Sequence, residues 1–319
     1  MESEMQKETT ERYGKIVVSA VPHILSNLTT RKVMLNVIIA LIPTVVAATI
    51  IFGFQALLVI LVTVAACVLC EYLWCKIRKI PQTVGDLSAI VTGILLAFNL
   101  PSTVPLYLPV IGAIVAIIIT KELFGGIGYN FANPAIVGRI TLAVSFPALM
   151  TSYAYPEPTI AYDLLSGATP LADTAENVPL LDLFLGTHGG VLGETCALTL
   201  LIGLVYLLVT KTIEITIPFF YVATVAVMSL IFGHNVPYEI LSGGLLLGAI
   251  FMATDYTTSP FSRKGKIIFA IGLGVITCGI RFFGNMHEGV SYSILIMNLL
   301  VAFINAGSRK TPLGGGKKK

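Results

Sequence analysis

The sequence predicts an all-α integral membrane protein of about ten transmembrane helices, arranged as two inverted five-helix halves with short broken helices. Three observations carry that prediction. The 319 residues are 55% hydrophobic and only 12% charged, with a mean hydropathy of +0.88, whereas soluble domains carry about 25% charged residues. Apolar runs approaching the roughly 20 residues needed to cross a hydrocarbon core recur along the chain. The basic residues alternate between these runs as the positive-inside rule requires. The first long run starts only at Val33, behind a charged segment and with no small-residue cleavage site after it, so no cleavable signal peptide is expected.

In order, the apolar segments fall at about 33–53, 56–74, 87–99, 105–120, 135–150, 190–209, 213–232, 241–253, 267–283 and 291–304. The third, fourth, fifth, eighth and tenth are shorter than a full span and are flanked by Gly, Pro and Asn. They are expected to be half-crossing helices whose irregular ends are buried in protein. With the N-terminus in the cytoplasm, Lys7, Arg12, Lys15, Arg31 and Lys32 lie inside. Lys76, Arg78, Lys79, Lys121, Lys211, Arg263, Lys264 and Lys266 follow inside, as does the tail of Arg309, Lys310, Lys317, Lys318 and Lys319. Only Arg139 and Arg281 remain, within or at the ends of helices. An even number of crossings follows, with both termini cytoplasmic.

The predicted organisation is a cytoplasmic segment 1–32, a first half 33–150, an extracytoplasmic loop 151–189, a second half 190–305 and a basic cytoplasmic tail 306–319. The loop carries Glu157, Asp163, Asp173, Glu176 and Asp182 and no Lys or Arg. Pro156, Pro158, Pro170 and Pro179 argue against a long helix there. Five segments on either side make the second half enter from the opposite face. Faint echoes agree: Thr92-Gly93-Ile94-Leu95-Leu96 with Ser242-Gly243-Gly244-Leu245-Leu246, and Phe124-Gly125 with Phe283-Gly284. Inverted repeats place sites near the midplane, between broken helices.

Ionisable residues near the membrane are functional candidates because their burial is expensive. Asp86 and Asp255 flank short segments in opposite halves and form the preferred pair for an ion path. Glu71 and Glu194 are weaker candidates, and for all four a position at headgroup level is the competing reading. Arg139 and Arg281 are candidates for a phosphate or an acid, against ordinary snorkelling to the interface. Asn130, Asn133 and Asn298 either satisfy freed backbone groups or meet the edge of a ligand ring. Cys67 and Cys70 share a helix face, but two thiolates do not complete an iron–sulfur site. With Cys75, Cys196 and Cys278 they read as buried, inert thiols. No phosphate-cradling Gly-rich loop, nucleophile triad, zinc spacing or nucleic-acid motif is present. No catalytic residue and no metal ligand is therefore assigned.

In the loop, Asp163-Leu164-Leu165-Ser166-Gly167-Ala168-Thr169 precedes Pro170. Gly167 and Ala168 leave the approach to the Thr169 hydroxyl uncluttered, and Pro170 restricts Thr169 itself. Ser166 can bond the local turn or a bound phosphate. A plain Ser/Gly/Thr turn is the alternative. The stretch resembles the acceptor sequence on which a flavin transferase esterifies FMN to threonine.

Other residues extend the resemblance: Asp86 with Thr92-Gly93 and Asn99-Leu100-Pro101, then Gly128-Tyr129-Asn130-Phe131-Ala132-Asn133-Pro134-Ala135, then Ala253-Thr254-Asp255-Tyr256 with Ser259-Pro260. From Pro22-His23 to about Asn305, the chain resembles the RnfD/NqrB family, which comprises the D subunits of Rnf electron-transport complexes and the B subunits of the sodium-pumping NADH:quinone oxidoreductase. The short stretch before the first span favours the Rnf type. That resemblance implies a urea-channel-like fold and FMN carried covalently on Thr169. Asp163, Ser166, Gly167 and Ala168 would shape the acceptor, with Asn130, Asn133 and Arg139 as further flavin contacts and a second, noncovalent flavin such as riboflavin in the membrane part. It also implies membership of a ferredoxin:NAD oxidoreductase complex coupled to sodium or proton translocation in a bacterial or archaeal cell membrane. Its partners would be other redox subunits, including a second covalent flavoprotein, along with membrane lipid and a flavin transferase during maturation. The competing class is a small-solute channel or transporter with no redox centre; a purely structural anchor is a third possibility.

Overall fold

The computed structural model describes residues 29–154, 166–167, 179–194, 196–284 and 289–308. Nearly all of them are helical. The chain opens with α1 (Thr30–Phe52) and α2 (Phe54–Arg78), separated by Gly53, whose φ of 73° lets the chain turn between two long apolar helices. Thr29 caps α1 by accepting from the Lys32 amide. Lys76 and Arg78 in the last turn of α2 suit the negative end of the helix dipole. A single 3-10 turn, Val84–Asp86, leads through Leu87 at φ 68° into α3 (Ser88–Phe98), almost every residue of which is buried.

The chain returns along α4 (Tyr107–Ala113), which continues as the π-helical stretch Ile114–Glu122. Then α5 (Pro134–Ser145) starts with Asn133 as cap and Pro134 at its first position. A break at Phe146 and Pro147 leaves the short α6 (Pro147–Met150). The only strand pairing among the described residues is two residues long: β1 (Tyr153–Ala154) is antiparallel to β2 (Ser166–Gly167).

After α7 (Leu180–Leu185), the segment 186–194 is irregular. It lies against the end of α3, with the Leu192 and Gly193 amides donating to the Leu100 and Phe98 carbonyls at 3.1 and 2.9 Å. Helix α8 (Ala197–Val209) therefore begins later than the apolar run from 190 suggests, because that run's first part is spent on this backbone contact. Next come α9 (Thr216–Phe232), α10 (Val236–Leu241), and α11 (Leu245–Leu247) continuing as the π-helical Gly248–Met252. The long helices α12 (Arg263–Phe283) and α13 (Val290–Ser308) complete the bundle.

Helices α1, α2, α12 and α13 are long and apolar enough to cross a membrane; the protein is membrane-integral. Their outward residues are large and apolar, including Ile50, Ile77 and Phe303 at 74–78% exposure, as a lipid-facing surface requires. The packing pairs α2 with α3, α9 with α12, α1 with α8 and α5 with α13. One contiguous core runs through them, from Leu41 and Leu96 to Phe269 and Ile294. Lipid tails are as apolar as Leu, so this association depends on close van der Waals packing and small residues. At Gly93 a Cβ would stand 2.7 Å from the Val64 Cα, and at Gly203 2.7 Å from the Ala40 carbonyl oxygen.

One expected echo does not superpose. Thr92-Gly93 lies in the middle of α3, while Ser242-Gly243 lies in the turn before α11. The corresponding turn residues are Leu87 and Gly244, which both take positive φ (68° and 65°) immediately before a buried short helix. Phe124 lies two residues beyond the π-helical stretch that carries Lys121, and Phe283 is the last residue of α12, which carries Arg281.

Candidate functional site

Three polar features interrupt the apolar interior. The first gathers around Lys121, at the end of the π-helical stretch. Its ammonium donates to Glu71 Oε2 at 2.6 Å and to Ser88 Oγ at 2.7 Å, and lies 3.6 Å from Glu122 Oε1. Ser88 in turn donates its hydroxyl to Asp86 Oδ1 at 2.5 Å, and Thr83 donates to Glu71 Oε1 at 2.5 Å. Glu71, Ser88, Lys121 and Glu122 are all buried, whereas Asp86 is half-buried and Thr83 exposed. Burial of Lys121 and Glu71 is tolerable only because each satisfies the other.

The second feature is a cleft beside this cluster. Ser88 and Lys121 form part of its wall, with Asn130, Asn133, Asp255 and Thr257 among its other polar residues. Val33, Met34, Val91, Leu95, Ile250 and Phe251 supply apolar surface. Asp255 accepts from the Thr257 and Thr258 hydroxyls at 3.0 and 3.1 Å. Asn130 donates to Thr257 Oγ1 at 3.2 Å, while its own Oδ1 is buried without a hydrogen bond. Asn133 caps α5 with its oxygen and donates its amide to the Met252 carbonyl, so it is committed to holding the backbone.

The third feature lies at the other end of the bundle. The Lys266 end of α12 adjoins Thr254 and Tyr256, which also line the cleft, and Arg281 is near the opposite end of that helix. Arg281 Nη1 donates to Glu239 O at 2.7 Å and to Glu239 Oε2 at 3.0 Å; Nη2 donates to the Ser242 and Gly243 carbonyls, both at 3.0 Å. Nearby, Arg139 Nη1 donates to Ser291 Oγ, tying α5 to α13. The Arg139 charge also acts on Tyr153 and Glu194.

The structure therefore brings Asp255, Asn130 and Asn133 to one cleft, with Asp86 reaching it only through Ser88. It places Arg139 apart from them, beside Tyr153. Asp163, Ala168 and Thr169 lie outside the described residues; the backbones of Ser166 and Gly167 pair with Ala154 and Tyr153. Glu71 is fully buried and paired with Lys121. Sequence reasoning missed Lys121 and Glu122 as site residues. The findable signal was a basic residue at the end of an apolar run, three residues before Phe124.

The five cysteines are free, and among the described residues no group of three His, Cys, Asp or Glu side chains could hold a metal ion. The cleft combines apolar walls with a few fixed polar groups, and the Asn130 oxygen on its wall has no hydrogen-bond partner.

A profile of the NQR2, RnfD, RnfE family matches residues 17–314. The chain belongs to that family. Among curated members of this NQR2, RnfD, RnfE family, it is 44% identical over 311 residues to the D subunit of the Na(+)-translocating ferredoxin:NAD(+) oxidoreductase complex of Acetobacterium woodii, covering 95% of this chain and 97% of the relative. It is 37% identical over 317 residues to the D subunit of the proton-translocating ferredoxin:NAD(+) oxidoreductase complex of Clostridium ljungdahlii, covering 93% and 96%. It is also 37% identical to the D subunit of the ion-translocating oxidoreductase complex of Stutzerimonas stutzeri, over 89% of this chain and 92% of the relative.

Proposed function

We propose that this chain is the flavin-carrying membrane subunit of an ion-translocating ferredoxin:NAD oxidoreductase complex of the Rnf type. Full-length similarity to the D subunits of complexes with that name is the observation that carries the reading. The chain has no module of its own for ferredoxin or NAD, so electrons pass between it and neighbouring redox subunits, a second covalent flavoprotein among them. FMN is held as a phosphoester on Thr169, attached by a flavin transferase. The two-residue pairing of Ser166–Gly167 with Tyr153–Ala154 supports this assignment, since it sets the start of the acceptor stretch beside Tyr153 and hence near the Arg139 cation. The redox chemistry belongs to the isoalloxazine ring; the protein supplies position and electrostatics.

A second, noncovalent flavin such as riboflavin occupies the cleft between Val91, Phe251 and Asn130. The Asn130 oxygen, which has no partner within the protein, would be available to accept a hydrogen bond from such a ring, while Asn133 and Asp255 hold the surrounding backbone. Ten crossings in two inverted halves, 33–150 and 190–305, suit the paired packing of α1 on α8 and α5 on α13. In that arrangement both termini and the Lys121 cluster face the cytoplasm of a bacterial or archaeal cell, and the Thr169 loop and the Arg281 cluster face outward. The coupled ion is sodium or a proton. The solute-channel alternative has no observation in its favour.

Mass spectrometry of the chain from its native complex tests the first claim. The expected result is an adduct of FMN less water that disappears in Thr169→Ala. An unmodified wild-type chain, coexpressed with a flavin transferase, overturns it. Flavin released by acid precipitation tests the second: Thr169→Ala keeps that fraction and Asn130→Leu loses it.

A further inference from the structure

The starts of α9 and α12 enclose a groove that flavin binding and electron transfer leave unused. The two helices run side by side in one direction. Thr216 and Arg263 line the groove at their first turns, and Phe232 packs on Phe282 and Phe283 at their far ends, with ring centroids 5.6 and 5.3 Å apart. Glu214, Ile215 and Thr216 form one wall, and Phe261, Arg263 and Lys266 the other. The second wall is held in place: Ser262 caps α12 and donates to Ser308 Oγ at 2.7 Å, and the Phe261 amide donates to Asn305 Oδ1 at 3.2 Å. The Phe261 ring is nevertheless 82% exposed. Lys266 is committed to Glu214 at 2.8 Å, and Lys211 borders an adjoining cavity that shares this pair. Arg263 is exposed and has no ion pair among the described residues. Three cations thus stand around one acid, and the acid is already answered.

We propose that this groove binds the phosphate of one anionic phospholipid, and that Arg263 is the residue that holds it. Arg263 is the first residue of α12, a helix long and apolar enough to cross the membrane, so it stands at headgroup level. A guanidinium presents a planar fork of donors that matches two phosphate oxygens at once. Apolar surface for acyl chains adjoins the groove: Phe261 on its wall, Ile215 and Phe219 at the start of α9, and Ile268 in the second turn of α12 are all exposed. A soluble phosphate would leave that surface bare. The general attraction of basic residues to an anionic leaflet does not distinguish Arg263 from its neighbour Lys264. The groove does, because Lys264 is equally exposed but lines no part of it.

The test is native mass spectrometry of the full chain in detergent, titrated with phosphatidylglycerol. Arg263→Gln weakens the first lipid-binding step by about tenfold or more, whereas Lys264→Gln weakens it by less than about threefold. Equal losses in the two variants would show diffuse attraction to a basic surface and overturn the site. Zwitterionic phosphatidylethanolamine binds the wild type about tenfold more weakly than phosphatidylglycerol; equal binding overturns the anionic assignment. Inorganic phosphate at millimolar concentration leaves the bound lipid in place; displacement would make the groove a site for a soluble phosphate group and overturn the lipid. Should Arg263→Gln fail to fold, Thr216→Trp decides, since it fills the groove from the opposite wall: unchanged lipid binding in that variant overturns the proposal.

Discussion

Two buried ion pairs stand at opposite ends of the bundle, yet they are built from different materials. Arg281 makes three of its four hydrogen bonds to backbone carbonyls, in the turn ahead of α11 and at Glu239. Lys121 bonds only to side chains, Glu71 and Ser88, with Glu122 standing off. Backbone acceptors cannot move without moving a helix, and a planar guanidinium fits several at once. Side-chain acceptors can rotate, and an ammonium is a point charge that needs no fixed fork of acceptors. The comparison teaches that one end of the molecule is fastened through its backbone and the other through side chains alone, although both are buried.

The strongest way to break that comparison is Arg281→Met. It strands the Glu239 carboxylate, 9% exposed, and three carbonyls. Removing one partner of a buried pair costs about 3–5 kcal/mol. The expected result is a large fall in the thermal unfolding midpoint in detergent and loss of assembly into the complex. Arg281→Lys restores less than half of that loss, since one ammonium cannot reach Glu239 and both carbonyls together. Full rescue by lysine would show that charge alone matters and that the two ends are alike.

Glu71→Gln comes next. The amide keeps the shape, but its single oxygen can accept from only one of Thr83 and Lys121, so a charge-assisted bond is lost, about 1.5–3 kcal/mol. Unfolding in the same detergent measures it. A loss matching or exceeding that of Arg281→Met would mean that the Lys121 end is the fastened one.

Much of the fold is legible in the sequence, because hydropathy marks where helices run. The break at Gly53, the cap at Asn133 and the ends near Phe124 and Phe283 all fall where the apolar runs and their flanking residues indicate. What is not legible depends on contacts distant in sequence. Glu71 meets Lys121 across 50 residues, and neither carries a local sign of the other. Helix α8 starts later than hydropathy indicates because Val191, Leu192 and Gly193 are apolar for packing on the end of α3 and not for helix formation. Leu87 takes a positive φ that its side chain disfavours, so no local propensity could announce the turn that Gly244 makes easily. Within the candidate site, Asn130 and Asp255 stand out as residue types, while the cleft that joins them does not.

A smaller effect sharpens how far packing, and not charge, joins α1 to α8. In Gly203→Ala the new methyl would stand 2.7 Å from the Ala40 carbonyl oxygen and 2.9 Å from Phe251 Cζ. A carbonyl cannot yield as a side-chain tip can, so α1 and α8 must separate slightly. Overpacking of this kind costs about 1–3 kcal/mol. The shift should appear as a lower unfolding midpoint in detergent. An unchanged midpoint would show that the helices are looser than their spacing implies.

The smallest effect belongs to the pair that looks most like the buried ones. Lys266 Nζ stands 2.8 Å from Glu214 Oε2, nearly the same separation as Lys121 from Glu71 at 2.6 Å. The Glu214 side chain, however, is 65% exposed, against 0% for Glu71. Water already solvates both charges at the surface, so the pair gains little that each partner lacked alone, and salt screens what remains. Glu214→Gln should therefore change stability by less than about 1 kcal/mol, and less still in high salt. A loss above that, persisting in molar salt, would mean that distance rather than burial sets the worth of these pairs. The contrast between Lys121 and Arg281 would then need another cause, because burial would no longer explain why either ion pair holds its end of the bundle.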